Sequence, residues 1–276
     1  MAVIRAMRVK LTEGEQAALC QRKGLTNNLE AFEKYLQGRM YSIQITKDAN
    51  AKGRQLYEEA VALDSSFAMA YAKLASTHAV DAMFAWSKEP RESARKAYEL
   101  ANKALALDDS LDTPHYMLGM IYLNMHEYDK AIAEAEKGVE LNPNGHEALG
   151  LLGWFLNCAG RPAEAVTLLE RAMRLNPMPP AIYYGFLGTS HMLMHRYEKA
   201  TAILEKGVQV QPDNSPCLVY LAAAYSMSGR QEDARKTAAE LLRLNPKFSV
   251  ESFAKLYKDP AVRERLTDAW RQAGLK

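Results

Sequence analysis

His191 and His195 stand four residues apart in the segment His-Met-Leu-Met-His. On a helix that spacing puts two imidazoles on one face, where they can share a metal ion. A third ligand is missing, since no Asp or Glu occurs between residues 178 and 197. Ser190 stands beside His191, but adjacent helical residues point apart, so they do not form a nucleophile and its base. The chain has no Gly-x-Ser-x-Gly, no glycine-rich phosphate loop and no His-Glu-x-x-His. Cys20, Cys158 and Cys217 are too scattered for a metal knuckle or a disulfide framework. The expectation is a protein that is not an enzyme and carries no metal and no cofactor.

The elements that hold these residues explain the histidine spacing better than chemistry does. Ala, Leu, Glu and Lys fill long segments, alternating Val/Ile runs are absent, and the chain reads as all helix. It also repeats. The helix-ending prolines Pro143, Pro177, Pro212 and Pro246 advance by 34, 35 and 34 residues. Gly119, Gly153, Gly188 and Ala222, each after a Leu, keep the same step, as do Ala131, Ala165, Ala200 and Ala234. Each period reads as two antiparallel helices whose small residues allow close approach, and one such hairpin needs stacked neighbours to cover its apolar faces. Seven residues after each Gly/Ala marker come His126, Gly160, His195 and Gly229. Glycine there ends a helix in the left-handed conformation, which His also tolerates. His195 is therefore assigned to a turn. His191 falls in the slot that Tyr122 and Tyr225 fill elsewhere and is expected to be a buried, hydrogen-bonded core group.

The phrases Leu118-Gly119…Tyr122…Ala131…Pro143, Leu152-Gly153…Ala165…Ala172…Pro177, Leu187-Gly188…Ala200…Pro212 and Leu221-Ala222…Tyr225…Ala234…Pro246 closely resemble the tetratricopeptide repeat. The resemblance is strong over residues 111–246 and weaker over 28–110. It implies an all-α, right-handed superhelical solenoid of antiparallel helix pairs, about six pairs plus a C-terminal cap. The expected division is 1–27 as N-terminal helices or linker, 28–110 as two divergent pairs, 111–246 as four regular repeats and 247–276 as capping helices. About ten extra residues around Trp86 are expected to lengthen the second pair, with Pro90 opening its second helix.

Charge placement suggests a surface. The first helices, placed at 113–125, 146–158, 181–194 and 215–227, contain no Lys or Arg, and Glu147 is their only acid. The resemblance puts these helices on the inner, concave wall. The residues expected to form a groove there are Tyr116, Met120, Trp154, Asn157, Thr189, Met192, Val219 and Ser226, with Gly150 and Gly185 leaving a pocket beside Trp154. One reading makes this wall a binding groove for a partner's helix, an extended peptide or a second copy; Met-rich walls re-pack around varied partners. The competing reading is that the array simply buries the wall in itself. A third makes the Trp154 pocket a carrier site for a small apolar ligand. Tetratricopeptide domains that clamp a carboxyl-terminal peptide use basic residues on first helices, and none is present here.

With 35 basic against 33 acidic residues, the net charge of +2 favours neither nucleic acid nor an anionic membrane. No apolar run reaches membrane-spanning length, and the scattered cysteines fit a cytoplasmic protein. Both termini, "LTEGE…NNLEAFEKYLQGR" and "YKDPAVRERLTDAWRQAGLK", resemble the tetratricopeptide tails of bacterial class III adenylate/guanylate cyclases. That implies a regulatory or scaffolding part of a larger signalling protein, with the segment before Leu11 joined to a preceding domain and Thr12 and Glu15 forming a capping box.

Overall fold

The computed structural model describes residues 26–44, 46–84 and 86–276. The capping box at Thr12 and Glu15, the helix before Leu11 and Cys20 lie outside the described residues. All regular structure among the described residues is helical: α1 (Leu29–Ser42), α2 (Lys47–Leu63), α3 (Ala68–Met83), α4 (Pro90–Leu107), α5 (Asp112–Asn124), α6 (Tyr128–Leu141), α7 (His146–Cys158), α8 (Pro162–Leu175), α9 (Ala181–Leu193), α10 (Tyr197–Val210), α11 (Ser215–Met227), α12 (Gln231–Leu244), α13 (Val250–Ala254) and α14 (Pro260–Gln272). Along the chain α1–α12 fall in the order expected from the period, and α13, of 5 residues, and α14, of 13, follow them. The chain divides into two compact units, one reaching to Ile121 and one from Tyr122 onward.

In the first unit α1 packs on α2, α3 on α4, and α2 on α3. Tyr35, Tyr57 and Phe67 make its aromatic centre, with Tyr35 5.1 Å from Phe67 and 5.9 Å from Tyr57. The extra residues near Trp86 do lengthen the second pair: α3 and α4 have 16 and 18 residues, against 13 and 14 in α7 and α8. Pro90 opens α4, where its missing N–H costs nothing. A buried polar cluster joins α2 to α3, and nothing in the repeat pattern announces it. Asn50 Nδ2 donates to Thr77 O at 2.9 Å and to Asp81 Oδ1 at 2.7 Å, while Arg54 donates to Asp81 Oδ2 at 2.5 Å. His78 lies beside them, and burial, aided by the Arg54 and Lys96 cations, lowers its pKa to about 4.

In the second unit α7/α8, α9/α10 and α11/α12 are hairpins, and each packs on the next. Glycine at the repeat markers is a packing requirement. A Cβ on Gly153 would lie 2.7 Å from Leu169 Cγ, and one on Gly188 2.5 Å from Leu204 Cγ, so a leucine of the second helix fills each space. Charge sits on the second helices and their turns, some of it in pairs one turn apart such as Arg161–Glu164, Arg230–Asp233 and Arg243–Glu240.

The hairpin turns settle the histidine question. His126 and His195 have φ of 62° and 60°, and Gly160 and Gly229 have 84° and 77°. Behind each, the next amide bonds back across the turn to the first helix: Arg161 N–H to Leu156 O at 2.8 Å, Arg196 N–H to His191 O at 2.9 Å, Arg230 N–H to Tyr225 O at 2.8 Å. This is the left-handed C-terminal cap. His195 occupies it, and the four-residue spacing follows from the repeat register.

Candidate functional site

The first helices α7, α9 and α11 lie side by side, with α9 touching both others. All eight residues expected to form a groove are buried; the most accessible, Ser226, is 8% exposed. Tyr116 and Met120 lie in the first unit. The other six are on α7, α9 and α11. Trp154 stacks on Phe186, ring centroids 5.2 Å apart and planes 8° from parallel. Asn157 Nδ2 donates to Phe186 O at 2.9 Å, and Thr189 Oγ1 donates to Gly185 O, one turn back, at 2.9 Å. These polar groups bond to helix backbone, not outward. Met192 is fully enclosed.

What covers the α11 side of this wall is the segment after α12, which the sequence pattern marks as a terminal cap. Helix α11 is surrounded by α9, α10, α12 and α14. Trp270 of α14 is fully buried, and its indole Nε1–H donates to Val219 O at 2.8 Å. Phe253 of α13 sits between Trp270 and Tyr220, at 5.6 and 5.5 Å. Tyr257 is buried beside Tyr220, and burial pushes both phenols well above their ordinary value. The Lys258 amide donates to Cys158 O at the end of α7 at 2.8 Å. Arg265 reaches His195 Nε2 at 3.0 Å, and His195 Nδ1 lies 2.7 Å from Tyr197 Oη. Because Arg265 can only donate, Nε2 is the accepting nitrogen and Nδ1–H donates to the tyrosine. Ser226 Oγ reaches Gln272 Oε1 at 3.3 Å. A local signal for this docking exists: Leu266, Ala269 and Trp270 fall on one buried stripe of α14, continued by Ala273 at its C-terminal cap.

Two expectations need correction. The pocket beside Trp154 is filled: a Cβ on Gly150 would lie 2.7 Å from the Tyr183 ring, and one on Gly185 3.3 Å from Cys217 Sγ. These glycines admit neighbouring side chains, and the space is taken. His191 is buried as expected, but neither ring nitrogen has a hydrogen-bond partner. Burial, with the Lys199 and Arg196 cations nearby, lowers its pKa. Trp154 Nε1, Asn157 Oδ1 and Tyr257 Oη also make no hydrogen bond of normal geometry. Among the described residues no three His, Cys, Asp or Glu side chains converge on a point that could hold a metal ion. No helix among them is long and apolar enough to cross a membrane.

Family models described as tetratricopeptide repeat match residues 116–185 and 191–256. These segments are tetratricopeptide repeats. Among curated proteins, the chain is 28% identical over 122 residues to the TPR repeat-containing protein YpiA of Bacillus subtilis, covering 44% of this chain and 28% of that protein. It is 23% identical over 208 residues to the BBSome complex member BBS4 of Bos taurus, covering 62% and 40%. It is also 28% identical to tetratricopeptide repeat protein 33 of Mus musculus, covering 44% and 47%. The chain thus spans less than half the length of each of these relatives. A solved APC/C hetero-tetramer, Cut9–Hcn1, superposes on 97% of this chain and 51% of that one with a TM-score of 0.60 at 15% identity. The tetratricopeptide protein TTC0263 of Thermus thermophilus superposes on 65% and 91% with a TM-score of 0.51 at 22% identity. Both likenesses are of fold.

Proposed function

We propose that the chain is a non-catalytic interaction module that holds a polypeptide partner against the wall formed by α7, α9 and α11. One observation carries this reading: a polypeptide helix, α14, is already seated on α11, the last of these three helices, with Trp270 bonded to the Val219 backbone carbonyl. The wall has no cation to select a carboxylate, so its recognition is apolar, with Trp154, Met192, Val219 and their neighbours as the buried surface. Tetratricopeptide repeats generally mediate protein–protein contact, which agrees with this reading. The filled spaces at Gly150 and Gly185 weigh against a small apolar ligand.

The test is selection of amphipathic peptides from a random helical library against the full chain, followed by mapping the contact with photo-crosslinking. Crosslinks on α7, α9 or α11 support the reading. A selection that yields no binder, or binders that crosslink only to the charged second helices, refutes it.

A further inference from the structure

Resting on that reading, we propose that α14 is a displaceable occupant of the wall. The partner is an amphipathic helix bearing an aromatic N–H donor for Val219 O and an arginine five positions earlier for the His195 turn, and it binds by replacing α14.

Four observations lead there. First, α14 is anchored on one narrow stripe, and Glu264, Asp268, Arg271 and Gln272 remain exposed. Second, its polar attachments to the repeats are sparse: Trp270 to Val219, Arg265 to His195 and Gln272 to Ser226 and Gln231. The Arg271–Glu251 ion pair stays within the C-terminal segment and ties it to nothing else. Third, a solvent-open hollow of about 380 Å³ lies where α14 meets the end of α11, lined by Met227, Arg265, Ala269 and Gln272 among others, so water reaches the edge of this contact. Fourth, Arg265 Nε of α14 is buried without a hydrogen-bond partner. Such a group penalises the present occupant and favours a competitor that places its arginine better. Against this, α14 has the advantage of being tethered, which gives it a high effective concentration. The two sides balance into a switch: a partner's apparent affinity is its intrinsic affinity reduced by the fraction of chains whose α14 is released.

The probe is a fluorescein-labelled peptide of residues 258–276, read by anisotropy on the full chain and on its Trp270→Ala variant. The peptide should bind Trp270→Ala at least about tenfold more tightly than wild type, and a peptide carrying the same substitution should not bind. Hydrogen exchange on the unaltered chain gives a second readout. Amides of α14 should exchange faster than those of α9 and α11, and excess peptide should speed α14 alone. Equal binding to both chains, binding to neither, or exchange of α14 and α11 in one common event would make α14 a permanent cap and overturn the proposal. If Trp270→Ala does not fold, the exchange data decide alone. Library peptides that crosslink to the wall while the 258–276 peptide fails would refute displacement only; a library without binders would refute the interaction reading itself.

Discussion

Replacing Gly188 by alanine tests the packing rule on which the repeats rest. Alanine is the better helix former by about 1 kcal/mol, so at an open site the change stabilises. Here the new methyl would meet Leu204 Cγ at 2.5 Å and Cδ2 at 2.9 Å. Cγ lies at the branch point of the side chain and cannot swing aside, and overpacking of this kind costs about 1–3 kcal/mol. Given the severity of the clash, the net loss expected is about 1–2 kcal/mol after the propensity gain is subtracted. With a urea slope near 3 kcal/mol per M, the far-UV circular dichroism midpoint should fall by roughly 0.5 M. Leu204→Ala alone should cost about 2–5 kcal/mol through the cavity it leaves. The double variant recreates a pairing the chain already uses, because Ala222 and Ala238 hold the corresponding buried places in α11 and α12. It should therefore be less destabilised than the two single losses combined, with a coupling of about 1–2 kcal/mol. A Gly188→Ala chain more stable than wild type, or strict additivity in the double variant, would refute the idea that Leu204 seats against this glycine.

Gly160 has φ +84° and open space where a Cβ would stand, so Gly160→Ala isolates backbone strain and should lower the melting temperature by about 2–4 °C. His126→Gly, at φ 62°, should raise it by a similar or smaller amount. His78 should make stability depend on pH. Its folded pKa of about 4 lies below the ordinary 6.5, so as pH falls through that window the unfolded chain takes up the proton first and stability is lost. Full burial would make the loss about 3 kcal/mol, and residual solvent contact reduces it to about 1–2 kcal/mol. Urea titrations between pH 7 and 4 should show that slope, and His78→Gln should flatten it.

Local pattern carried most of the fold. The Leu-Gly markers, the turn positions 126, 160, 195 and 229 and the stopping prolines each report a short-range constraint, such as a close approach, a left-handed φ or a lost donor. Such constraints appear in residue type at the place where they act. The candidate site was legible only as a set of residues. Trp154, Met192 and Val219 are apolar whether they face a partner, each other or the chain's own C-terminal segment. For Val219 the answer is Trp270, about 50 residues further on and outside the period; for Trp154 it is Phe186 of the next repeat. The missing hydrogen bonds of His191 and the filled space at Gly150 likewise depend on neighbouring side chains and not on spacing along the chain.

The second helices close part of their electrostatic field on themselves. When Arg161 faces Glu164 and Arg243 faces Glu240 across a single helical turn, each pair is a small dipole whose potential falls off faster than a lone charge's and is screened by salt within about 8–10 Å. Between these helices and the proposed partner, encounter should therefore depend little on ionic strength, and selectivity should be expressed in how long the complex survives.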